Sequence, residues 1–362
     1  MNLRLGRKQV GLEHPTYFVA DIAANYDGEL ERAKLLIRLC AEAGADAAKF
    51  QNFRAPKIVS DRGFQQMGGQ LSHQANWKKS VYQVYDQATL PWEWTPILKQ
   101  ECEACGIDYF SSPYDLEAVD MLDPYVDMFK IGSGDITWPE MLQKVAMKGK
   151  PVLLATGASD IGEVQRAGET ILRVNRQLVL MQCNTNYTGS RDNFHHIHLR
   201  VLETYGSMFP SAVLGLSDHT PGHTTVLGAV ALGARVIEKH FTDDNRREGP
   251  DHPFSMTPAT WRDMVDRTRE LEDALGSSAK RVEDNEQQTV VVQRRCLRAA
   301  RDLMAGEVLT TEMLEALRPA PRDAIFPYDL SRVVGKRLTQ NLSAGEHLRW
   351  TSLADREAKE WK

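Results

Sequence analysis

Through most of this chain, short runs rich in Val, Ile, Leu and Ala alternate with longer segments whose apolar residues recur at helical spacing. The runs predict strands over 17–23, 47–51, 108–112, 128–133, 152–156, 178–183, 212–217 and 236–241. The segments between them predict helices over 30–43, 91–104, 139–147, 161–174 and 194–205, and a last helix over 258–275 starts at Pro258 and stops at Gly276. Strands apolar on both faces read as buried and parallel, and eight βα repeats in about 275 residues suit an α/β fold of the TIM (β/α)8 barrel type. A doubly wound open sheet is the alternative, but no Gly-rich dinucleotide fingerprint follows the first strand.

The pattern changes after Gly276. Residues 277–293 are polar and charged and read as a linker, and 294–362 hold short segments cut by Gly and Pro. The near-duplicates D-L-M-A-G-E-V-L and N-L-S-A-G-E-H-L suggest one turn used twice in a small β-rich module. The expected plan is a catalytic barrel over 1–276, a linker over 277–293 and the module over 294–362.

Composition narrows the class. With 362 residues, 42% hydrophobic and 26% charged, the chain can bury a full core. A formal net charge of -5 gives no basic field and argues against nucleic acid as a partner. No run approaches the ~18 apolar residues of a membrane span, and the amino terminus has no signal-peptide pattern, so the expected location is cytoplasmic. The five cysteines are scattered, and Cys102 with Cys105 lack a second pair to complete a zinc site.

In a barrel, active-site groups gather at the carboxyl ends of the strands, where this sequence is polar almost throughout. These ends carry Asp21; Lys49 and Gln51; Ser111 and Ser112; Lys130, Ser133 and Asp135; Thr185 and Tyr187; Ser217 and His219; Glu238 and His240. Strand alternation puts Ser217 with His219 on one face, Glu238 with His240 on one face, and turns Asp218 and Lys239 away. If the last two strands are neighbours, His219 and His240 form an imidazole pair that, with nearby carboxylates and water, suits Mn²⁺ or Mg²⁺ better than a closed zinc site. Lys49 and Lys130, among hydroxyls and amides, suit an oxygen-rich anion such as a phosphate plus a carboxylate. His195, His196 and His198 fall on the helix expected over 194–205, with His195 and His198 on one face, and read as packing or surface residues.

Taken in order, A-D-I-A-A-N-Y-D-G, A-G-A-D-A-A-K-F-Q, S-S-P-Y-D, F-K-I-G-S-G-D, A-T-G, C-N-T-N-Y, G-L-S-D-H-T, A-L-G-A-R-V-I-E-K-H-F-T and G-P-D-H resemble the sialic acid synthase family, the N-acetylneuraminate and related nonulosonate synthases. The module with R-P and V-V-G-K-R resembles that family's SAF (antifreeze-like, β-clip) domain. The resemblance implies a metal-dependent transferase that condenses phosphoenolpyruvate with an N-acetylated amino sugar aldehyde, N-acetylmannosamine or a relative, giving N-acetylneuraminate or a related nonulosonate plus phosphate. It implies that His219 and His240 hold the metal with Asp251 near its bound water. It assigns Lys49, Lys130, Ser133, Ser217, Ser112 and Thr185 to phosphoenolpyruvate, and Asp21, Gln51, Asp135 and Tyr187 to the sugar. Asp21 or Asp135 would serve in proton transfer. Arg318 matches an arginine placed in the neighbouring subunit's site, which implies a domain-swapped homodimer. The chain departs from the family pattern at Asp21 (usually glutamate), Tyr26 (usually histidine), Ala155 (often serine), Ser112 (commonly threonine), Thr185 (asparagine or serine) and the loop R-P-A-P-R-D, several of which bear on the acceptor. The same condensation on another aldehyde, or a silent binding relative, are the competing readings.

Overall fold

The computed structural model describes residues 2–67 and 70–355, in two compact units, Met1–Gly276 and Ser277–Lys362. In the first, β1 (Tyr17–Asp21), β2 (Ala47–Asn52), β3 (Asp108–Pro113), β4 (Phe129–Ile131), β5 (Val152–Ala155), β6 (Leu178–Cys183), β7 (Val213–Asp218) and β8 (Val236–His240) form one parallel sheet in the order β3-β2-β1-β8-β7-β6-β5-β4. This is a nearly closed TIM-like barrel with its seam between β3 and β4. The first and last strands pair with His240 beside Asp21, and β8 also pairs with β7, which sets Glu238 beside Ser217.

The strands are buried on both faces because helices cover the outside. The helix Leu30–Glu42 shows how: Ala33, Leu36, Ile37 and Cys40 recur at helical spacing and are its buried stripe. The last helix of the unit, Pro258–Leu275, starts in a Thr257/Thr260 capping box and buries Trp261 edge-on against Phe241, 5.6 Å between ring centroids.

Three features differ from the periodicity reading. An antiparallel hairpin, Leu3–Leu5 with Lys8–Val10, buries Leu3, Leu5 and Val10 in the barrel core. It sits at the strand starts, where Asp108 accepts from the Arg7 backbone amide (3.2 Å) and the Tyr17 hydroxyl (2.7 Å). Three-residue strands are too short for alternation to reveal. The helix expected over 194–205 is instead a 3-10 turn, Arg191–His196, and a helix, Val201–Met208. His198, at φ 47°, interrupts the helical path, so His195 and His198 share no helix face. Third, residues 53–94 between β2 and the helix Thr95–Ala104 form an insertion with short helices at Ala55–Ile58, Asp61–Gln66 and Val81–Gln87.

The second unit pairs Cys296–Ala299 with Leu314–Leu317 and Arg337–Leu338 with Leu353–Ala354 around a core that includes Leu297, Leu309, Ile325 and Leu348. The duplicated motif is a duplicated turn: Leu303 bridges Leu342, and Gly306 and Gly345 take φ 91° and 79°, where a glycine is unstrained. The segment read as a linker is not structureless. It carries the helix Gln287–Gln293, and the Val291 carbonyl accepts from the Ala320 amide at 2.8 Å.

Close packing of β7 makes a direct test. A Cβ at Gly215 would stand 2.8 Å from the Val236 carbonyl oxygen, so Gly215→Ala should destabilise the fold by about 1–3 kcal/mol. At Gly206, on the helix Val201–Met208, the nearest atom is a Leu214 methyl at 3.6 Å, and Gly206→Ala should stabilise by roughly 0.5–1 kcal/mol. Urea denaturation midpoints of the two variants check both signs.

Candidate active site

The carboxyl ends of the strands open into a cavity of about 630 Å³. Its floor is a cluster of buried charges. Lys49, from β2, reaches Asp21 of β1 at 2.6 Å and Glu238 of β8 at 3.5 Å. Lys130, from β4, reaches the same Glu238 oxygen at 2.9 Å, and the Ser217 hydroxyl donates to it at 3.1 Å. Gln51 donates to Asp21 at 3.1 Å. Burial opposes ionisation of Glu238, but Lys130 and Lys49 outweigh it and hold its carboxyl down at about 2. Burial likewise works against the Lys49 ammonium, and Asp21 with Glu238 overcomes it and raises its pKa. Asp21 moves the other way, pushed up by burial despite Lys49.

Beside this floor stand two imidazoles. The rings of His219 and His240 are 5.4 Å apart, and burial pushes both pKa values down to about 3, so both are neutral near pH 7. His219 Nδ1 donates to the Asn184 carbonyl at 2.9 Å, which leaves Nε2 with its lone pair. His240 Nδ1 is buried with no hydrogen-bond partner among the described residues. Neutral imidazoles are the form that binds metal, and two of them leave most coordination positions to water and substrate. Among the described residues no cluster of three or more His, Cys, Asp or Glu side chains stands in ligand geometry, so a closed structural site is excluded there. The donor set fits a divalent ion held by His219 and His240.

Asp135 and Asp251 lie around the same cavity, each pushed up to about 6, chiefly by burial. Asp251 accepts from the Ala24 amide at 3.1 Å, while Asp135 Oδ2 and Glu238 Oε2 are buried without a partner among the described residues. On the outward face, Lys239 pairs with Asp218 and donates to the Thr220 carbonyl at 2.6 Å, a structural link as alternation required.

The structure thus brings Asp21, Lys49, Gln51, Lys130, Ser133, Asp135, Thr185, Tyr187, Ser217, His219, His240 and Asp251 around one cavity. One expected residue of the barrel is not there. Ser112 is the register partner of Gln51, but it is fully buried, and Tyr114, just past the end of β3, lines the cavity instead. Arg318 is exposed on the second unit, at the end of Leu314–Leu317. Three groups of lining residues went unassigned: Glu238, Tyr114, and the insertion residues His73, Trp77 and Tyr85. The signal for the last group was a βα connection far longer than the roughly 2–6 residues usual in such units.

A parallel barrel whose strand ends gather buried ion pairs beside two imidazoles defines a TIM-like barrel protein with a polar cavity at its carboxyl face. The chain belongs to the NeuB family, whose model matches residues 36–280, and a SAF domain follows at 294–354. It is 35% identical over 351 residues to N,N'-diacetyllegionaminic acid synthase of Legionella pneumophila, covering 95% of this chain and 96% of that one. It is 30% identical over 334 residues to N-acetylneuraminate-9-phosphate synthase of Homo sapiens, covering 91% and 90%. An N-acetylneuraminic acid (sialic acid) synthetase structure from Leptospira borgpetersenii superposes with a TM-score of 0.70 at 26% identity, covering 80% of this chain and 95% of that one.

The raised Asp135 carboxyl has a stability consequence. The folded state binds its proton more tightly than the unfolded chain, so wild-type stability falls as pH rises from about 4 through about 6. Asp135→Asn should therefore match wild type below pH 4 and exceed it by about 1–3 kcal/mol above pH 6. Denaturation midpoints of both proteins between pH 4 and pH 8 check this.

Proposed function

We propose that this protein condenses phosphoenolpyruvate with the aldehyde of an open-chain N-acetylated amino sugar, forming a nonulosonate and releasing phosphate. The observation that carries the reading is the convergence of Lys49 and Lys130 on Glu238, next to two neutral imidazoles in one cavity. An anion with phosphate and carboxylate groups offers those ammoniums the charge that Asp21 and Glu238 otherwise supply. The Ser133 hydroxyl, already accepting from the Gly157 amide at 2.9 Å, and the Ser217 hydroxyl are further donors at fixed positions. A divalent ion, Mn²⁺ or Mg²⁺, held by His219 and His240 would polarise the aldehyde carbonyl.

The enol carbon of phosphoenolpyruvate forms the new bond to the aldehyde carbon, whose oxygen takes up a proton. Water adds at the carbon that bears the phosphate and gives up a proton, and the bond from that carbon to the phosphate oxygen then breaks, leaving the ketone and free phosphate. Asp135 and Asp251 are the carboxyl groups suited to holding and passing a proton near neutral pH.

Phosphate release with phosphoenolpyruvate, Mn²⁺ and a panel of N-acetylated hexosamines tests the reading, with a product mass equal to both substrates plus water minus phosphoric acid. No release with any amino sugar would sink it. His240→Ala should cut turnover by about 100-fold or more while the circular dichroism melt is kept. Full activity in that variant removes the metal argument. The reading includes a domain-swapped homodimer in which Arg318 acts on the acceptor. Arg318→Ala should then raise KM for the sugar about tenfold and leave KM for phosphoenolpyruvate within about twofold, measured by steady-state kinetics with each substrate varied.

A further inference from the structure

The loop after β8, residues 241–257, brings Asp251 to the cavity and Phe254 to the imidazole pair. The Phe254 ring centroid lies 4.8 Å from that of His240 and 5.9 Å from that of His219. It also lies 5.5 Å from Tyr187, the inner end of a succession of rings that continues through His73, Trp77 and Tyr85. His252, between Asp251 and Phe254, is fully buried and does not line the cavity.

His252 instead joins a clasp between two segments of the barrel. Its Nε2 lies 2.9 Å from Asp27 Oδ1, and its Nδ1 lies 2.7 Å from the Thr242 hydroxyl. A carboxylate accepts and does not donate, so Nε2 carries the proton. The other Asp27 oxygen accepts from Arg247 at 2.9 Å and lies 3.0 Å from the Arg32 guanidinium. Arg32 in turn donates through both terminal nitrogens to Asp243, at 2.9 and 2.6 Å. Asp27 and Arg32 follow β1, whereas Thr242, Asp243, Arg247 and His252 follow β8.

The same two segments meet again at Asp251. Its carboxylate accepts from the Ala24 amide at 3.1 Å, and its carbonyl accepts from the Ser255 hydroxyl at 2.6 Å, which accepts from Asn25 at 2.9 Å. Along the β1 segment Ala23 and Asp27 take φ 47° and 53°, a left-handed backbone that non-glycine residues keep only where their surroundings enforce it. Bidentate, charge-assisted bonds leave such a clasp little freedom. Asp27, Arg32, Asp243 and His252 are all missing from the cavity lining, so any effect they have on the reacting groups passes through a neighbour.

We propose that the Asp27–His252 pair, braced by Arg32 and Asp243, positions Asp251 in the cavity, and that His252 is a positioning residue acting on turnover through Asp251. The inference rests on the condensation reading, in which Asp251 holds and passes a proton, and adds the device that fixes that carboxyl. A misplacement of about 1 Å costs on the order of 100-fold in rate, so loosening the clasp reaches turnover without touching substrate.

Phosphate release by the full chain is measured with phosphoenolpyruvate, Mn²⁺ and the hexosamine that the wild type uses best, for His252→Ala, Asp251→Asn and the double variant. His252→Ala should lower kcat about 30-fold and keep KM for phosphoenolpyruvate within about twofold. In the Asp251→Asn background it should lower kcat by no more than about twofold. Losses that simply multiply overturn the inference, as does an unchanged kcat in His252→Ala. Should that variant not fold, Gly249→Ala replaces it, because Gly249 is exposed and a Cβ there would stand 2.6 Å from the His252 ring and displace it. Hydrogen exchange read by mass spectrometry follows the clasp without turnover: exchange over residues 22–28 should quicken about tenfold or more in either variant. Unchanged exchange overturns the positioning. Quickened exchange with multiplying kcat losses overturns the inference alone, whereas a wild type that releases no phosphate with any amino sugar sinks the condensation reading and this inference together.

Discussion

Four charges buried where the strands end, on Asp21, Lys49, Lys130 and Glu238, are the constraint on which the rest depends. Each comes from a different strand, Asp21 and Lys49 being register partners on the neighbouring β1 and β2, and none is stable alone out of water. Lys130 from β4 can meet Glu238 from β8 only because the sheet curves round to face itself. The closed barrel is thus what makes the charges affordable, and the charges fix which polar groups face inward.

The same arrangement explains why the imidazoles stay neutral. Burial disfavours a charge on either ring, and a neighbour adds to it in each case: His240 for His219, and Lys49 with Lys130 for His240. Glu238 is the hinge of this electrostatic balance. One of its oxygens takes both lysines and a serine hydroxyl, and the other has no partner among the described residues. A group so placed orients both lysines without enclosing them.

Strand periodicity made much of this legible. The runs ending in Lys49, Lys130, Ser217 and Glu238 alternate cleanly, so the inward set could be separated from Asp218 and Lys239 by parity alone. What parity could not show was distance. Glu238 was visible on the His240 face, but its importance lies in lysines from two other strands. The insertion escaped for another reason: its helices are too short to establish a 3.6-residue period, and its ring succession is assembled from His73, Trp77 and Tyr85 with a residue of another loop, Tyr187. The hairpin at residues 3–10 and the break at His198 were hidden by brevity and by a backbone angle that composition does not encode.

The register between the first and last barrel strands carries a further meaning. His240 sits beside Asp21 on the ladder that joins β8 to β1, so the ladder that brings Glu238 and His240 to the polar floor is also the one that joins the first and last strands. During synthesis Asp21 and Lys49 emerge long before Glu238 and His240, and until the eighth strand docks the two earlier charges lack their full complement. The chemistry of this protein is therefore a property of the finished circle: a growing or truncated chain that lacks β8 holds neither the complete charge cluster nor the imidazole pair, and competence arrives in one step with closure.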